Sequence, residues 1–390
     1  MSIAEMIVPD LHRLGVKGFT RERRSEVGSE STGWSSTWSA WGTTATVTVT
    51  DPTALPAARR LVSRQFIAAE KAAARFRRDA ELHRLYRAGG RAITVSPLLA
   101  ELIAAALTAA ERTDGDVDPT VAAAMTAVHN RRRRDRDKSA LPVCGTRSTG
   151  SRPVPGWQQV DLRGCRLQVP AGTTLDLSAT ATSVACDLAA ASVRNRLGVG
   201  VVVTLGGDAA SAGPGPEGGW RVSIEDRAEI GWIGEGPTGR NQIEVLLPAG
   251  ASLATSHFTA RPSGIDPDSG AAPAGHLIDP HTGRPPTEIW RMATAIGFTS
   301  LEASTYTAAS LIRGVSARAW LTQLWVPARL VTVHDDVITV GPWSAHEVDA
   351  PAATPRNPVP TSTNPFPTGS ADGPGPFPTP RLANPRRTTY

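Results

Sequence analysis

The chain has 390 residues, 40% of them hydrophobic and 20% charged, enough apolar material for one large core or two modest ones. Its formal net charge is +5, which invites a nucleic-acid reading, but the excess is local. It sits in Arg131-Arg132-Arg133-Arg134-Asp135-Arg136-Asp137-Lys138 and in residues 351–390, where Arg356, Arg381, Arg386 and Arg387 face only Asp372; the remainder is near neutral, which argues against a phosphate-tracking surface.

Residues 1–35 show no sustained periodicity and are expected to be an N-terminal extension. Glu5 and Asp10 fall where a secretory signal would be basic or apolar, and no later stretch approaches the roughly 20 apolar residues of a membrane span. Cys144, Cys165 and Cys186 have no metal-ligand spacing, and their odd number suits a reducing compartment, so a cytoplasmic location is expected. The folded body is expected over 36–345. Trp41 to Thr50 alternates with β-branched residues and is closed by Asp51-Pro52, which predicts a strand. Ala54 to Phe76 carries apolar residues at helical spacing. A second helix follows Ser96-Pro97, with serine as N-cap and proline in the first turn. Residues 131–155, basic and then rich in Ser, Gly and Pro, read as a flexible insertion. Beyond it the pattern predicts strands at Gln158–Leu162 and Thr174–Leu177 and a helix near Ser183–Leu197. A strand from Gly200 to Leu205 then ends in Gly206-Gly207-Asp208. The tail, 346–390, has 11 prolines after residue 350, too many to build a core, and is expected to be disordered. The fold class that follows is α/β in the mixed, α+β sense.

Several short motifs in order carry a resemblance. Trp41-Gly42-Thr43 opens a β run, and Arg75-Phe76-Arg77-Arg78-Asp79-Ala80-Glu81-Leu82 precedes Thr113-Asp114-Gly115-Asp116-Val117-Asp118-Pro119-Thr120-Val121. Thr204-Leu205-Gly206-Gly207-Asp208, Ala254-Thr255-Ser256 and His276-Leu277-Ile278-Asp279-Pro280-His281-Thr282-Gly283-Arg284-Pro285 complete the set. Each is weak alone, but in this order they resemble the FAD:protein FMN transferase (ApbE-like) family across nearly all of the body.

The resemblance implies a protein that binds FAD as substrate, splits its pyrophosphate with the help of Mg²⁺, and attaches FMN to a Ser or Thr of an acceptor protein. Such chemistry needs charge neutralisation at the phosphates and a flat apolar slot for the isoalloxazine. The resemblance makes His276 the catalytic group. It assigns flavin-nucleotide contacts to Trp41, Phe76, Asp116, Asp118, Asp176, Thr182, Gly206, Gly207, Asp208, Ile278 and Asp279. The family's metal positions fall on the Ala179 carbonyl, Ser304 and Ala308, and there the pattern departs: Ser304 stands for an aspartate and Ala308 for a threonine, while Thr182 stands for a lysine. A hydroxyl and a methyl are poor Mg²⁺ ligands, so metal binding is doubtful. Two readings therefore stay open, a working FMN transferase and a relative that kept the flavin or partner site without catalysis. Plainer roles stand beside the sharp ones. Asp176 and Asp187 could be caps, Gly206-Gly207-Asp208 a strand exit, Phe76 a core residue and the arginine run a solvated loop. No nucleic-acid partner is expected.

Overall fold

The computed structural model describes residues 33–75, 77, 79–128, 156–226, 241–258, 277–343 and 347–348. Phe76, His276, the 131–155 insertion, the tail beyond 348 and all but the end of the N-terminal extension lie outside them.

The body is built on an eight-stranded sheet in the order β1 (Trp34–Ala40), β2 (Thr43–Val49), β6 (Val201–Leu205), β7 (Asp208–Ala212), β10 (Ser252–His257), β11 (Trp290–Gly297), β12 (Ala328–Thr332) and β13 (Val337–Val340). Every neighbouring pair in it is antiparallel. A second sheet joins β8 (Trp220–Asp226), β9 (Asn241–Leu247) and β14 (Glu347–Val348); a third joins β3 (Ile93–Thr94), β4 (Asp161–Arg163) and β5 (Arg166–Gln168). The helices are α1 (Leu55–Ala73), α2 (His83–Ala88), α3 (Pro97–Arg112), α4 (Ala181–Leu197), α5 (Ser300–Arg313) and α6 (Ala317–Gln323), with a further helical turn over 122–128.

The large sheet is covered on both faces. Val201, Val203 and Leu205 join α1, α3 and α4 in one core, whereas Val202 on the opposite face joins Trp220, Val222, Val245, Leu247 and Trp343 in another. Because successive strand residues point to opposite faces, a strand buried on both is apolar nearly throughout, which is why 201–205 reads Val-Val-Val-Thr-Leu, with only Thr204 part-exposed. Helix α4 is apolar around most of its circumference, and its small buried residues Ala185, Cys186, Ala189 and Ala190 let α1, α5 and strands β6 and β7 approach closely.

Local chemistry fixes the ends. Ser96 caps α3 by accepting from the Leu99 amide at 3.2 Å, as its sequence pattern predicts. Trp41 (φ 52°) and Gly42 (φ 70°) form the two-residue β1–β2 turn that the twist of a hairpin favours. Three local expectations are corrected. Trp34–Ala40 is a strand, β1, whose first two residues lie within the expected 1–35 extension and whose remainder precedes the expected first strand; its Ser and Thr lie on a sheet edge, Ser35 and Thr37 bonded to Thr48 and Thr46, and so lack an apolar signature. Thr174–Leu177 is not a strand: Leu175, Asp176 and Leu177 are all buried, and the segment is tied by Tyr86 Oη donating to the Leu175 carbonyl at 3.1 Å and by the Asp176 amide donating to the Pro119 carbonyl at 2.7 Å. Within Gln158–Leu162, residues 157–159 form a 3-10 turn and the strand begins only at Asp161.

Candidate functional site

A cleft, open on one side, lies between the end of α3, helix α5 and the loops 116–121 and 176–180. Four separate segments bring their predicted residues to it: Asp116 and Asp118 from the turn after α3, Asp176 and Ala179 from the loop before α4, Ile278 from the loop before the 279–283 turn, and Ala308 from α5. Its remaining wall is largely apolar, with Val117, Val121, Met125, Leu277 and Ile312, the composition that a flat aromatic ligand requires.

The three carboxylates are buried and each is held by named donors. Asp176 accepts from Arg75 Nη1 at 2.8 Å and from the Ser178 amide at 2.7 Å. Asp118 accepts from the Thr120 amide and hydroxyl, both at 2.7 Å, and from the Trp157 amide at 3.0 Å. Asp116 accepts from Arg313 Nε through one oxygen, while His281 Nε2 lies 3.3 Å from the other. Arg313 is stacked over Trp320, 4.3 Å from the ring centroid, and donates to the Thr113 carbonyl. Arg75, Arg313 and His281 thus belong to the site although sequence reasoning gave them no role. An arginine in a helical run reads as a surface charge; only the pairing with a buried carboxylate marks it, and that pairing spans 101 residues for Arg75 and 197 for Arg313.

Other predicted residues are elsewhere. Thr182 and Asp208 bond to each other, Thr182 Oγ1 donating at 2.6 Å, and neither lines the cleft. Burial pushes the Asp208 carboxyl up to about 7, offset in part by the Thr182 bond and reinforced by Asp187. Burial likewise pushes Asp187 up to about 6 against the amides of Ser300 and Leu301, from which it accepts at 2.8 and 3.1 Å. Asp187 therefore closes the N-terminus of α5 from α4. Cys186, buried beside Asp208 and Asp187, has its thiol pushed well up and is a packing residue. Gly206 and Gly207 make the β6–β7 turn. A Cβ on Gly207 would stand 2.3 Å from the Thr255 carbonyl, so the close backbone approach visible here is to β10. Asp279 accepts from the His281 amide and the Thr282 hydroxyl, both at 2.9 Å, shaping its own turn. Trp41 is half-buried against the α1 core. Phe76 and His276 are not among the described residues.

The implied Mg²⁺ is tested by the donor set. Ser304 Oγ donates to the Ala179 carbonyl at 3.0 Å, so two of the three expected positions do meet. The third, Ala308, offers a methyl group. Among the described residues no group of three or more His, Cys, Asp or Glu could hold a metal ion. The residues present do not fit the ion.

A doubly covered antiparallel sheet with a largely apolar, carboxylate-rimmed cleft beside it defines an α+β protein. Comparison narrows this further: the model of the ApbE family matches residues 41–330, and the chain belongs to that family. Among solved structures, it is similar to the apo flavinyl transferase ApbE of Pseudomonas stutzeri, at 20% identity over 80% of this chain and 95% of that one, with a TM-score of 0.59. The flavin transferase ApbE of Vibrio cholerae matches at 18% identity over 80% and 98% of the two chains, TM-score 0.58. The ApbE protein of Thermotoga maritima matches at 18% identity over 81% and 99%, TM-score 0.62. At these identities the likeness is one of fold. No curated protein matches the chain's sequence.

Proposed function

We propose that this protein is an FAD:protein FMN transferase, moving the FMN half of FAD to a Ser or Thr hydroxyl of an acceptor protein. The observation that carries the reading is convergence: residues that the family resemblance assigns to the flavin nucleotide, Asp116, Asp118, Asp176 and Ile278, arrive from three segments at one largely apolar cleft. Membership of the ApbE family over 41–330 supports it, as do the names of the Pseudomonas and Vibrio proteins, which are flavin transferases.

In the reaction the bond between the FMN phosphorus and the bridging oxygen breaks, and AMP leaves with that oxygen. A bond from phosphorus to the acceptor oxygen forms, and the hydroxyl proton is released. The chain's own residues bind and orient. Val117, Ile278 and Ile312 exclude water from one side of the slot. Asp118 and Asp176 are fixed at the cleft wall by their donors, which holds a polar edge beside the apolar slot. Arg75 and Arg313 balance the carboxylates, so that an anionic ligand does not meet three uncompensated negative charges. His276 remains our choice for the proton-handling group. A cytoplasmic location belongs to the same proposal and rests on the cysteine pattern; among the described residues no helix is long and apolar enough to cross a membrane.

Incubation with FAD and a protein extract, followed by AMP chromatography and a denaturing gel viewed for flavin fluorescence, tests the reading. AMP release with a fluorescent protein band is expected. Tight FAD binding without AMP would instead favour a relative that only holds the nucleotide.

A further inference from the structure

We propose that the cleft takes its flavin nucleotide without a divalent cation, because the direct hydrogen bond from Ser304 to Ala179 stands where a cation would join α5 to the loop before α4. The inference rests on the reading of the cleft as the FAD site.

Distance alone does not decide the matter. Two neighbouring oxygens on an octahedral Mg²⁺ lie about 3 Å apart, and Ser304 Oγ is 3.0 Å from the Ala179 oxygen. Charge and protons decide it. The serine hydroxyl is neutral and keeps its proton, which it directs at the very carbonyl that would have to face the ion. Ala308, one helical turn further along the same face, adds a methyl and is 4% exposed. Among the described residues, the carboxylates that line the cleft are already engaged. Asp176 is bound to Arg75 and Asp116 to Arg313, and drawing either acid toward an ion would break a largely buried pair. Asp118 spends both oxygens on Thr120 and Trp157. The link between α5 and the loop is thus made by protein atoms, and it is already closed before any ligand arrives.

The test uses the purified full chain and two readouts, the melting temperature with and without MgCl₂ and the FAD affinity in EDTA or MgCl₂ by flavin fluorescence. For the native protein Mg²⁺ should leave the melting temperature unchanged, and the FAD dissociation constant should agree within about twofold between EDTA and Mg²⁺. A tenfold or greater tightening by Mg²⁺, or a metal-dependent rise in melting temperature, overturns the proposal. In the double variant Ser304→Asp with Ala308→Thr, a carboxylate faces the Ala179 carbonyl; it should melt lower in EDTA and recover with Mg²⁺. A folded double variant indifferent to Mg²⁺ would show that these positions are no latent cation site, which also overturns the proposal. If that variant does not fold, the native protein's two readouts still decide. Absence of FAD binding under every condition would count against the transferase reading instead, and the melting arm would still judge the metal claim.

Discussion

Asp208 and Asp187 set a pH dependence that runs against the common carboxylate pattern. Their folded values, about 7 and about 6, lie above the ordinary aspartate value. The stability they allow is therefore fully present below about pH 4 and is lost as pH rises through 6 to 7. At roughly 1.4 kcal/mol per unit, ionised Asp208 costs up to roughly 4 kcal/mol at pH 8. Asp208→Asn keeps an acceptor for Thr182 and cannot ionise. It should be more stable than the native protein at pH 8 and no more stable at pH 4.5, as read by urea denaturation. An equal effect at both pH values would contradict the assignment. Arg75→Met should cost about 3 kcal/mol, because it strands Asp176, 3% exposed, without its guanidinium; a loss under about 1 kcal/mol in the same assay would show that the pair is not held as described. At this scale the sequence was half legible. Asp118, Asp176 and Ile278 announce themselves by motif and do meet at the cleft. Arg75 and His281 stand inside quoted motifs, but their roles, like that of Arg313, were not legible, since a charge partner a hundred or more residues away leaves no local trace.

Elements were more readable where one residue's preference decides the geometry. Ser96-Pro97 marks the start of α3 because only a side-chain acceptor satisfies its first amides. The valine run of β6 is legible because both its faces are buried. Edge and tied segments were not: β1 pairs through threonine and serine, and 174–177 mimics a strand by its alternating leucines while its backbone bonds go to Tyr86 and Pro119. The Gly206-Gly207 turn shows the same limit. Its glycines suggest a phosphate cradle, yet their need is explained by the press of β10. Gly207→Ala should destabilise by about 2 to 3 kcal/mol, since its methyl would meet the Thr255 carbonyl, a backbone atom with little room to move. A melting temperature unchanged from the native protein would refute that close packing.

For the whole molecule, α5 ties the helix-covered side of the sheet to the cleft. It is capped by Asp187 from α4, hydrogen-bonded through Ser304 to the loop before α4, and ends in Arg313 at the cleft. The motifs fall at different kinds of place in the fold: Asp116-Val117-Asp118 and Leu277-Ile278 at the cleft, Trp41-Gly42 and Gly206-Gly207 at hairpin turns. The departures at Ser304 and Ala308 were equally visible, but only the structure shows what stands in their place, a closed hydrogen bond.

The most direct measurement is AMP release from FAD by the purified protein, supplied with a protein extract and followed by a denaturing gel viewed for flavin fluorescence. The account predicts AMP together with flavin covalently attached to an acceptor band, in EDTA as well as in Mg²⁺. FAD that stays intact under all conditions, bound or unbound, would contradict it.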